Sequence, residues 1–153
     1  MSKEFPRGIE VVCSAVILND EGEVLLCRSP KWDNSYITPG GHINPGESIL
    51  DAVVRETREE VGLVVKPTDQ CVACGDLINP KEFNRQAHFI FIDVICEYQG
   101  GEVKLDGIEM TEYVWVKPEW AIENLKLGST YREVLENLVL TLKGQEEITL
   151  LCN

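Results

Sequence analysis

The chain has 153 residues, of which 44% are hydrophobic and 26% are charged, and its formal net charge is −12. This length and composition fit one folded domain over residues 1–153 and exclude the disordered and collagen-like classes. The acidic balance disfavours stable nucleic-acid binding, because that affinity comes from Lys and Arg side chains that displace counterions.

The chain begins with a short charged segment, Met1–Gly8, which lacks the apolar core of a signal peptide. No later stretch approaches the roughly 18 apolar residues that a membrane helix needs. We therefore expect a cytoplasmic protein with no membrane partner and with six reduced cysteines. Cys71 and Cys74 form a CxxC without a second such pair, so we expect ordinary strand or loop residues there. A zinc or redox site is the alternative.

A β-hairpin is the first predicted element. Two runs rich in Val, Ile and Leu, residues 9–18 and 23–28, flank the turn residues Asn19–Gly22. After a polar stretch, Tyr36–Thr38 leads into the loop Pro39–Gly46. Its glycines allow bare backbone to approach neighbouring groups closely.

A helix is predicted from Ser48 to Val61. Ser48 and Asp51 form a capping-box start, and Gly62 supplies the stop. Between them the apolar side chains recur at helical spacing and form one stripe. The stripe consists of Leu50, Val53, Val54, Thr57 (through its methyl group) and Val61.

Three glutamates of this helix, Glu56, Glu59 and Glu60, fall within about 100° of one another and away from the apolar stripe. They repel one another at i, i+3 and i+4, and they lie near the C-terminal end, where the helix dipole disfavours anions. A solvated acidic face is the simpler interpretation. A bound cation would compensate both effects, and oxygen-only ligands favour Mg²⁺, with Mn²⁺ as a substitute.

The remaining elements are strands followed by helices. Two strand pieces are expected at residues 63–65 and 70–77, on either side of a turn at Pro67. Further strands are expected at His88–Tyr98 and Tyr113–Val116, with a turn at Gly100-Gly101 between them. Helices are expected at Pro118–Leu125 and Tyr131–Leu142. This order predicts an α/β protein with a mixed sheet packed between helices.

Residues 41–63 resemble the signature of the MutT-like Nudix hydrolases. Gly41 is followed after five residues by Glu47 and, after seven more, by the run from Arg55 to Leu63, with Thr57 where the family usually has an aliphatic residue. The resemblance implies the Nudix fold, an α/β/α sandwich in which the signature forms a loop, a helix and a loop. It also implies hydrolysis of a pyrophosphate bond in a nucleotide, with Mg²⁺ as the cofactor.

The resemblance also assigns roles within the signature. Glu56, Glu59 and Glu60 become metal ligands, together with the carbonyl group of Gly40. Arg55 is expected to pair with the first glutamate of the signature, Glu47, and to hold it toward the metal cluster.

The general base is left open between three groups. We expect Glu59 to take the proton of the attacking water, with Glu56 or the Glu109 loop as substitutes. Many family members add a carboxylate shortly before a late Trp-containing strand, here at Trp115. Glu109 is our choice for it over Glu112, and a solvated loop acid is the alternative for both.

Substrate recognition should come from outside the signature. The candidates are Arg28, Trp32, Tyr36, Phe83 and Arg85. Phe83 and Arg85 lie in a polar insert, residues 79–86, where they could stack on a base and pair with a phosphate. Arg28, together with Lys31, could meet the phosphates. The plainer interpretation is core aromatics and solvated basic side chains.

A nucleoside triphosphate, cleaved to a nucleoside monophosphate and pyrophosphate, is the substrate that we expect first. ADP-ribose is the alternative, with Pro80 as a weak marker, and the motifs of NADH and coenzyme A hydrolases are not seen. A Nudix-like ligand sensor without turnover is less favoured, because all the signature carboxylates are present. A homodimer is left open.

Overall fold

The structure, a computed structural model, describes residues 4–145 and 148–151. The predicted extent of the domain, residues 1–153, stays a prediction, and Cys152 lies outside the described residues. The strands are β1 (Ile9–Leu18), β2 (Val24–Ser29), β3 (Ser35–Ile37), β4 (Gly40–His42), β5 (Val65–Ile78), β6 (His88–Tyr98), β7 (Glu112–Val116) and β8 (Ile148–Thr149). The helices are α1 (Ile49–Val61), α2 (Pro118–Asn124) and α3 (Tyr131–Leu142), with a 3₁₀ turn at Pro30–Trp32.

The strands form one mixed sheet in the order β3-β2-β1-β6-β5-β8, in which β4 also pairs with β1, and β7 with β2. β1 and β6 run parallel, whereas β1 is antiparallel to β4 and β5 is antiparallel to β6. This architecture is the α/β fold, with a mixed sheet between helices, that the sequence predicts.

Helices cover both faces of the sheet, because successive strand residues point to opposite sides. On one face Cys13 and Ala15 of β1 join the cluster that contains Val53 of α1. On the other face Val16 of β1 joins the cluster that contains Leu138 of α3. Each helix therefore buries its apolar stripe against one side of β1.

The predicted helices are confirmed with small shifts. Ser48 caps α1 by accepting from the N–H of Asp51 at 3.1 Å, and Gly62 ends the helix with φ 72°. α2 ends at Asn124, one residue before the predicted end, and α3 has the predicted bounds. Among the described residues, no helix has the length and apolarity to cross a membrane.

The prediction of two strand pieces around Pro67 is wrong, because β5 is one strand from Val65 to Ile78. The strand keeps its pairing with β6 through two register shifts, between Pro67 and Cys71 and between Cys71 and Ala73. A bulge of this kind accommodates a proline that cannot donate to the ladder. Cys71 and Cys74 are strand residues, one buried and one exposed.

The first hairpin is present but short. β1 and β2 pair at Leu18 and Val24 around the predicted turn, and β2 then pairs with β3 on one side and β7 on the other. β1 instead pairs along its length with β6. The two strands therefore separate, which leaves room for the β4 segment beside β1.

Candidate active site

The three glutamates of α1 differ in burial. The Glu59 side chain is 59% exposed and that of Glu56 is 13% exposed, whereas Glu60 as a whole is only 3% exposed. The expectation that all three face away from the apolar stripe is wrong for Glu60. Its carboxyl group lies against the sheet, where the N–H of Gly40 donates to Oε2 at 3.1 Å.

Glu60 forms a carboxyl pair with Glu109. Burial, together with the hydrogen bond to Glu109, raises the pKa of Glu60 to about 10. The same bond lowers the pKa of Glu109, to which Lys31 also donates through Nζ. The pair therefore holds one proton, with Glu60 protonated and Glu109 ionised.

Of the two loop acids considered, Glu109 joins the glutamates of α1 and Glu112 does not. Glu112 instead accepts from Arg28 Nη1 at 3.0 Å and from the Tyr36 hydroxyl at 3.2 Å. These contacts lie on β2, β3 and β7, whereas Glu109 reaches Glu60. The geometry therefore favours Glu109, as the sequence argument did.

Arg55 connects the signature carboxylates. It pairs with Glu47 in bidentate fashion, through Nε at 2.7 Å and Nη2 at 2.8 Å. Nη1 donates to Glu56 at 2.8 Å and, at 3.4 Å, to Glu59, and Nη2 also reaches the carbonyl of His42 at 2.9 Å. The bond from Arg55 lowers the pKa of Glu47 to about 2. The pairing implied by the family resemblance is thus present.

Two glycines let α1 approach β4 closely. A Cβ atom on Gly41 would lie 2.6 Å from the Glu56 carboxyl carbon. A Cβ atom on Gly40 would lie 2.1 Å from the carbonyl oxygen of Cys13. Only backbone fits between the helix carboxylates and β1, so this position requires glycine.

The carboxylates open into a cavity of about 730 Å³. The predicted site residues that line it are the carboxylate group with Gly40 (Gly40, Glu56, Glu59, Glu60 and Glu109) and, in addition, Trp32, Phe83 and Arg85. Among the described residues that line the cavity, neither Arg28 nor Tyr36 occurs, and Glu47 and Arg55 stand behind the carboxylates rather than in the wall. The structure therefore gives no support for direct substrate contacts by Arg28 and Tyr36.

An aromatic group forms another part of the cavity wall. Phe83 packs on Trp32 with ring centroids 4.6 Å apart and meets Phe89 edge-on at 5.1 Å. Arg85 lies over Phe83 at 5.1 Å, and its fork binds Glu10 at 2.7 and 2.8 Å. Because Glu10 already occupies this guanidinium, Arg85 holds the wall in place rather than being free to bind a phosphate.

A buried polar group lining the cavity was not predicted. Ser14 donates to Asp93, Thr38 donates to Ser14 at 2.9 Å, and the Tyr131 hydroxyl lies 2.8 Å from Thr38. Asp93 stands in the apolar run of β6, and a single acidic residue inside a predicted buried strand is itself unusual. That signal would have identified Asp93 from the sequence.

The chemistry of the carboxylates suits a divalent cation, since the group offers only oxygen ligands and holds a proton where a cation would relieve repulsion. In the part of the chain that the structure describes, however, no group of three or more His, Cys, Asp or Glu side chains is already assembled as a metal site. The reason is visible in the contacts, because Arg55 holds Glu56 and Glu59 while Glu60 turns to Glu109. Cation binding would require these side chains to rearrange.

Comparison with known proteins identifies similar sequences. The NUDIX domain family model matches residues 9–138. The chain is 35% identical over 104 residues to the NAD-capped RNA hydrolase NudC of Stutzerimonas stutzeri, an alignment that covers 67% of this chain and 35% of that protein. It is 33% identical over 106 residues to a putative 8-oxo-dGTP diphosphatase of Bacillus subtilis, covering 67% of this chain and 63% of that protein. The chain thus spans about a third of the length of the first relative and less than two thirds of the second.

The chain spans a larger share of a third relative. The chain is 30% identical over 122 residues to the nucleoside triphosphatase NudI of Escherichia coli, covering 74% of this chain and 84% of that protein. Among solved structures, the MutT protein from Methanosarcina mazei Go1 is similar with a TM-score of 0.76 at 29% identity, over 93% of this chain and 99% of that one.

Proposed function

Because the chain belongs to the Nudix family, we propose that it is a metal-dependent pyrophosphohydrolase that cleaves a nucleoside triphosphate to a nucleoside monophosphate and pyrophosphate. The observation that carries this proposal is the cavity, which brings a carboxylate cluster and an aromatic wall within reach of one ligand. Phosphates would lie at the carboxylates and the base at the wall.

The cofactor of this proposal is Mg²⁺, with Mn²⁺ as a substitute, held by Glu56, Glu59, Glu60 and the Gly40 carbonyl. At such a site the ion supplies charge neutralisation on phosphate oxygens and acidification of a water molecule. Glu109 adds a further carboxylate. Lys31 places a positive charge beside Glu109 at the same end of the cavity.

Glu59 is the general base of the proposal. It lines the cavity, its side chain is the most exposed of the three helix glutamates, and its contact with Arg55 is long, at 3.4 Å. It is therefore free to reach a water molecule and remove its proton. Glu56 is held by a shorter bond to the same guanidinium, at 2.8 Å, which favours a ligand role.

Arg55 and Glu47 act as positioning residues. The Glu47 carboxylate binds the Nε–Nη2 edge of the guanidinium, and the Nη1 group orients Glu56. A planar fork held in this way restricts the rotation of the carboxylates that face the cavity. Neither residue touches the cavity itself, so their effect on turnover passes through Glu56 and Glu59.

Two relatives support a triphosphate as the substrate. The nucleoside triphosphatase NudI and the putative 8-oxo-dGTP diphosphatase both carry a triphosphate in their names. NudC, the most identical of the three, acts on NAD-capped RNA by its name, but this chain spans only 35% of its length. The aromatic wall fits a base in either class.

A substrate panel with product analysis tests the proposal. Purified protein with Mg²⁺ is incubated with the common nucleoside triphosphates, ADP-ribose and NAD, and the products are separated by ion-exchange chromatography. We expect monophosphate and pyrophosphate from a triphosphate. If only ADP-ribose is cleaved, the protein is an ADP-ribose pyrophosphatase instead. If a nucleotide binds but no product forms, the protein is a ligand sensor. The predicted cytoplasmic location and a homodimer stay predictions.

A further inference from the structure

We infer that Lys31 competes with the divalent cation for the Glu109 carboxylate and so raises the metal concentration that the enzyme needs. The Lys31 ammonium group and the divalent cation are alternative counter-ions of one acid. The inference rests on the proposed function, because it concerns the cation of the same carboxylate cluster.

Lys31 lies at the carboxylate end of the cavity. It belongs to the 3₁₀ turn at Pro30–Trp32, and its Nζ atom donates to Glu109 Oε1. Glu109 shares a hydrogen bond with Glu60, one of the proposed metal ligands, and all three residues line the cavity. A cation bound to the Glu109 carboxylate would therefore meet the ammonium group at close range, and two positive charges at one carboxylate repel each other.

The Lys31 side chain is free to leave Glu109. It is 44% exposed, and among the described residues Glu109 is the one acid that its ammonium group contacts. Lysine carries a strongly hydrated charge on a flexible four-carbon stem, and a partly exposed ion pair of this kind contributes little stability. Lys31 can therefore turn to the solvent when a cation takes its place.

Arg55 cannot exchange in this way. It also binds an acid of the site, Glu56, at 2.8 Å. Its Nε–Nη2 edge, however, is bound by Glu47, and Nη2 also donates to the carbonyl of His42 at 2.9 Å. These contacts fix the guanidinium group independently of Glu56. Of the two cationic side chains bonded to acids of the site, Lys31 is the exchangeable one.

Glu109 does not depend on Lys31 for its position. The Oδ1 atom of Asp106 accepts from the backbone N–H groups of residues 108–110 at 2.9 to 3.0 Å. The N–H of Asp106 in turn donates to the carbonyl of Glu60 at 3.0 Å. The loop that carries Glu109 is thus fixed to the end of α1. Removal of the Lys31 charge should free the Glu109 carboxylate without displacing it.

Binding of Mn²⁺ in the absence of substrate tests this inference. Free Mn²⁺ is measured by its electron paramagnetic resonance signal, which is lost on binding. Lys31→Met removes the charge and keeps the apolar stem, so we expect Mn²⁺ to bind roughly three- to tenfold more tightly. Lys31→Gln, which keeps a hydrogen-bond donor, should show the same gain. Unchanged or weaker binding in both variants would overturn the inference, and weaker binding would make Lys31 a support of the site instead.

Lys143→Met is the matched control for net charge. Lys143 follows α3, whose first residue, Tyr131, lines the cavity. The 12 residues of this helix span about 18 Å, and the Debye length is about 8 Å at physiological ionic strength. We therefore expect less than about a 1.5-fold change in Mn²⁺ affinity. An equal gain in Lys31→Met and Lys143→Met would assign the effect to net charge and reject competition.

A double-mutant cycle with Glu109→Gln separates competition from simple repulsion. Glu109→Gln removes the acid for which Lys31 competes, so adding Lys31→Met to this variant should change Mn²⁺ affinity no more than the Lys143 control does. An equal gain with and without the Glu109 carboxylate would show that Lys31 repels the cation without competing for that acid, which would overturn the inference.

Hydrolysis distinguishes this inference from the proposed function. With a nucleoside triphosphate, the Mg²⁺ concentration for half-maximal activity should fall in Lys31→Met by the factor found for Mn²⁺ binding. If the unchanged protein neither binds Mn²⁺ nor hydrolyses any triphosphate, the proposed function fails. If it hydrolyses a triphosphate and Lys31→Met has the metal requirement of the Lys143 control, only the role of Lys31 fails.

Discussion

At the scale of single residues, Arg55 connects the carboxylates of the site. Its guanidinium contacts three carboxylates and one backbone carbonyl, those of Glu47, Glu56, Glu59 and His42. Without it these like charges would face one another across the mouth of the cavity. The pairing therefore both orients the carboxylates and reduces their repulsion.

Replacing Arg55 by Lys should lower kcat/KM roughly 10- to 100-fold, because an ammonium group cannot reproduce the bidentate bond to Glu47. Arg58→Lys is the matched control, since Arg58 is exposed on the same helix. Steady-state kinetics of both variants check the expectation. Equal activities in the two variants would contradict it.

Replacing Glu59 and Glu60 with Gln should lower activity in different ways. Glu60→Gln removes a ligand, so the metal concentration for half-maximal activity should rise and high Mg²⁺ should recover part of the turnover. Glu59→Gln removes the proton acceptor, so kcat should fall about 10² to 10⁴-fold without recovery. Titration of activity with Mg²⁺ distinguishes them, and recovery of Glu59→Gln would make that residue a ligand only.

Asp93 should make stability depend on pH. Burial raises its pKa to about 7 in the folded protein, above the ordinary value of 3.8, while the bond from Ser14 opposes the shift. The stabilising contribution is therefore complete below pH 3.8 and is lost as pH rises through about 7. Between pH 5 and 8 the protein should lose about 2 to 3 kcal/mol relative to Asp93→Asn. Urea unfolding of both at the two pH values measures this, and parallel pH dependence would disprove it.

At the scale of elements, the segment between β5 and β6 forms a fixed wall. Asn79 and Ala87 close its base, with the Asn79 N–H donating to the Ala87 carbonyl at 2.8 Å. Asn84 donates to the Lys31 carbonyl at 3.0 Å, and Arg85 binds Glu10. The last two bonds tie the wall to the 3₁₀ turn at Pro30–Trp32 and to β1, so Phe83 has a defined position.

Arg85→Lys should therefore raise KM for a nucleoside triphosphate about tenfold with little change in kcat, because Phe83 loses the guanidinium that packs on it and anchors it. KM for methyl triphosphate, which has no base, should not change. Lys81→Arg, an exposed change in the same segment, is the control. A parallel loss of activity on both substrates would indicate general damage to the site instead.

Elements whose signals are local were predicted well, and those that depend on distant pairing were not. The cap at Ser48, the stop at Gly62 and the apolar stripe between them define α1 without reference to the rest of the chain. Pro67 argues locally for a break, yet pairing with β6 continues the strand past it through a bulge. That compensation depends on a partner strand which no local pattern reveals.

In the candidate site, too, local contacts were predicted and contacts between distant residues were not. The signature predicts the Arg55–Glu47 pair and the cluster of glutamates, because their spacing along one loop and helix fixes their geometry. The partner of Arg85 is Glu10, 75 residues away, so the chain offered no sign that this guanidinium was occupied. The burial of Glu60 likewise follows from β4 lying against α1, which only the folded structure shows.

At the scale of the whole molecule, divalent cations should stabilise the protein. The chain carries a net charge of −12, and its site crowds four carboxylates at one end of the cavity. A cation present at 100 times its Kd would stabilise the fold by about 2.7 kcal/mol. Thermal unfolding with Mg²⁺ and with chelator, at equal ionic strength, measures the effect, and activity should vanish with chelator. Glu60→Gln is the control, and an equal rise in Tm in that variant would assign the effect to general screening.

The short strand β4 pairs with β1 and lines the cavity along its whole length. α1 delivers its glutamates from one face of the sheet, and Asp93, Phe89 and the wall at Phe83 belong to the other. Substitutions on the second face could therefore change the groups that contact the base without altering the glutamates that act on the phosphates. Gly40 and Gly41 set the limit of that freedom, because a Cβ atom on Gly40 would clash with the Cys13 carbonyl oxygen and one on Gly41 with the Glu56 carboxyl group.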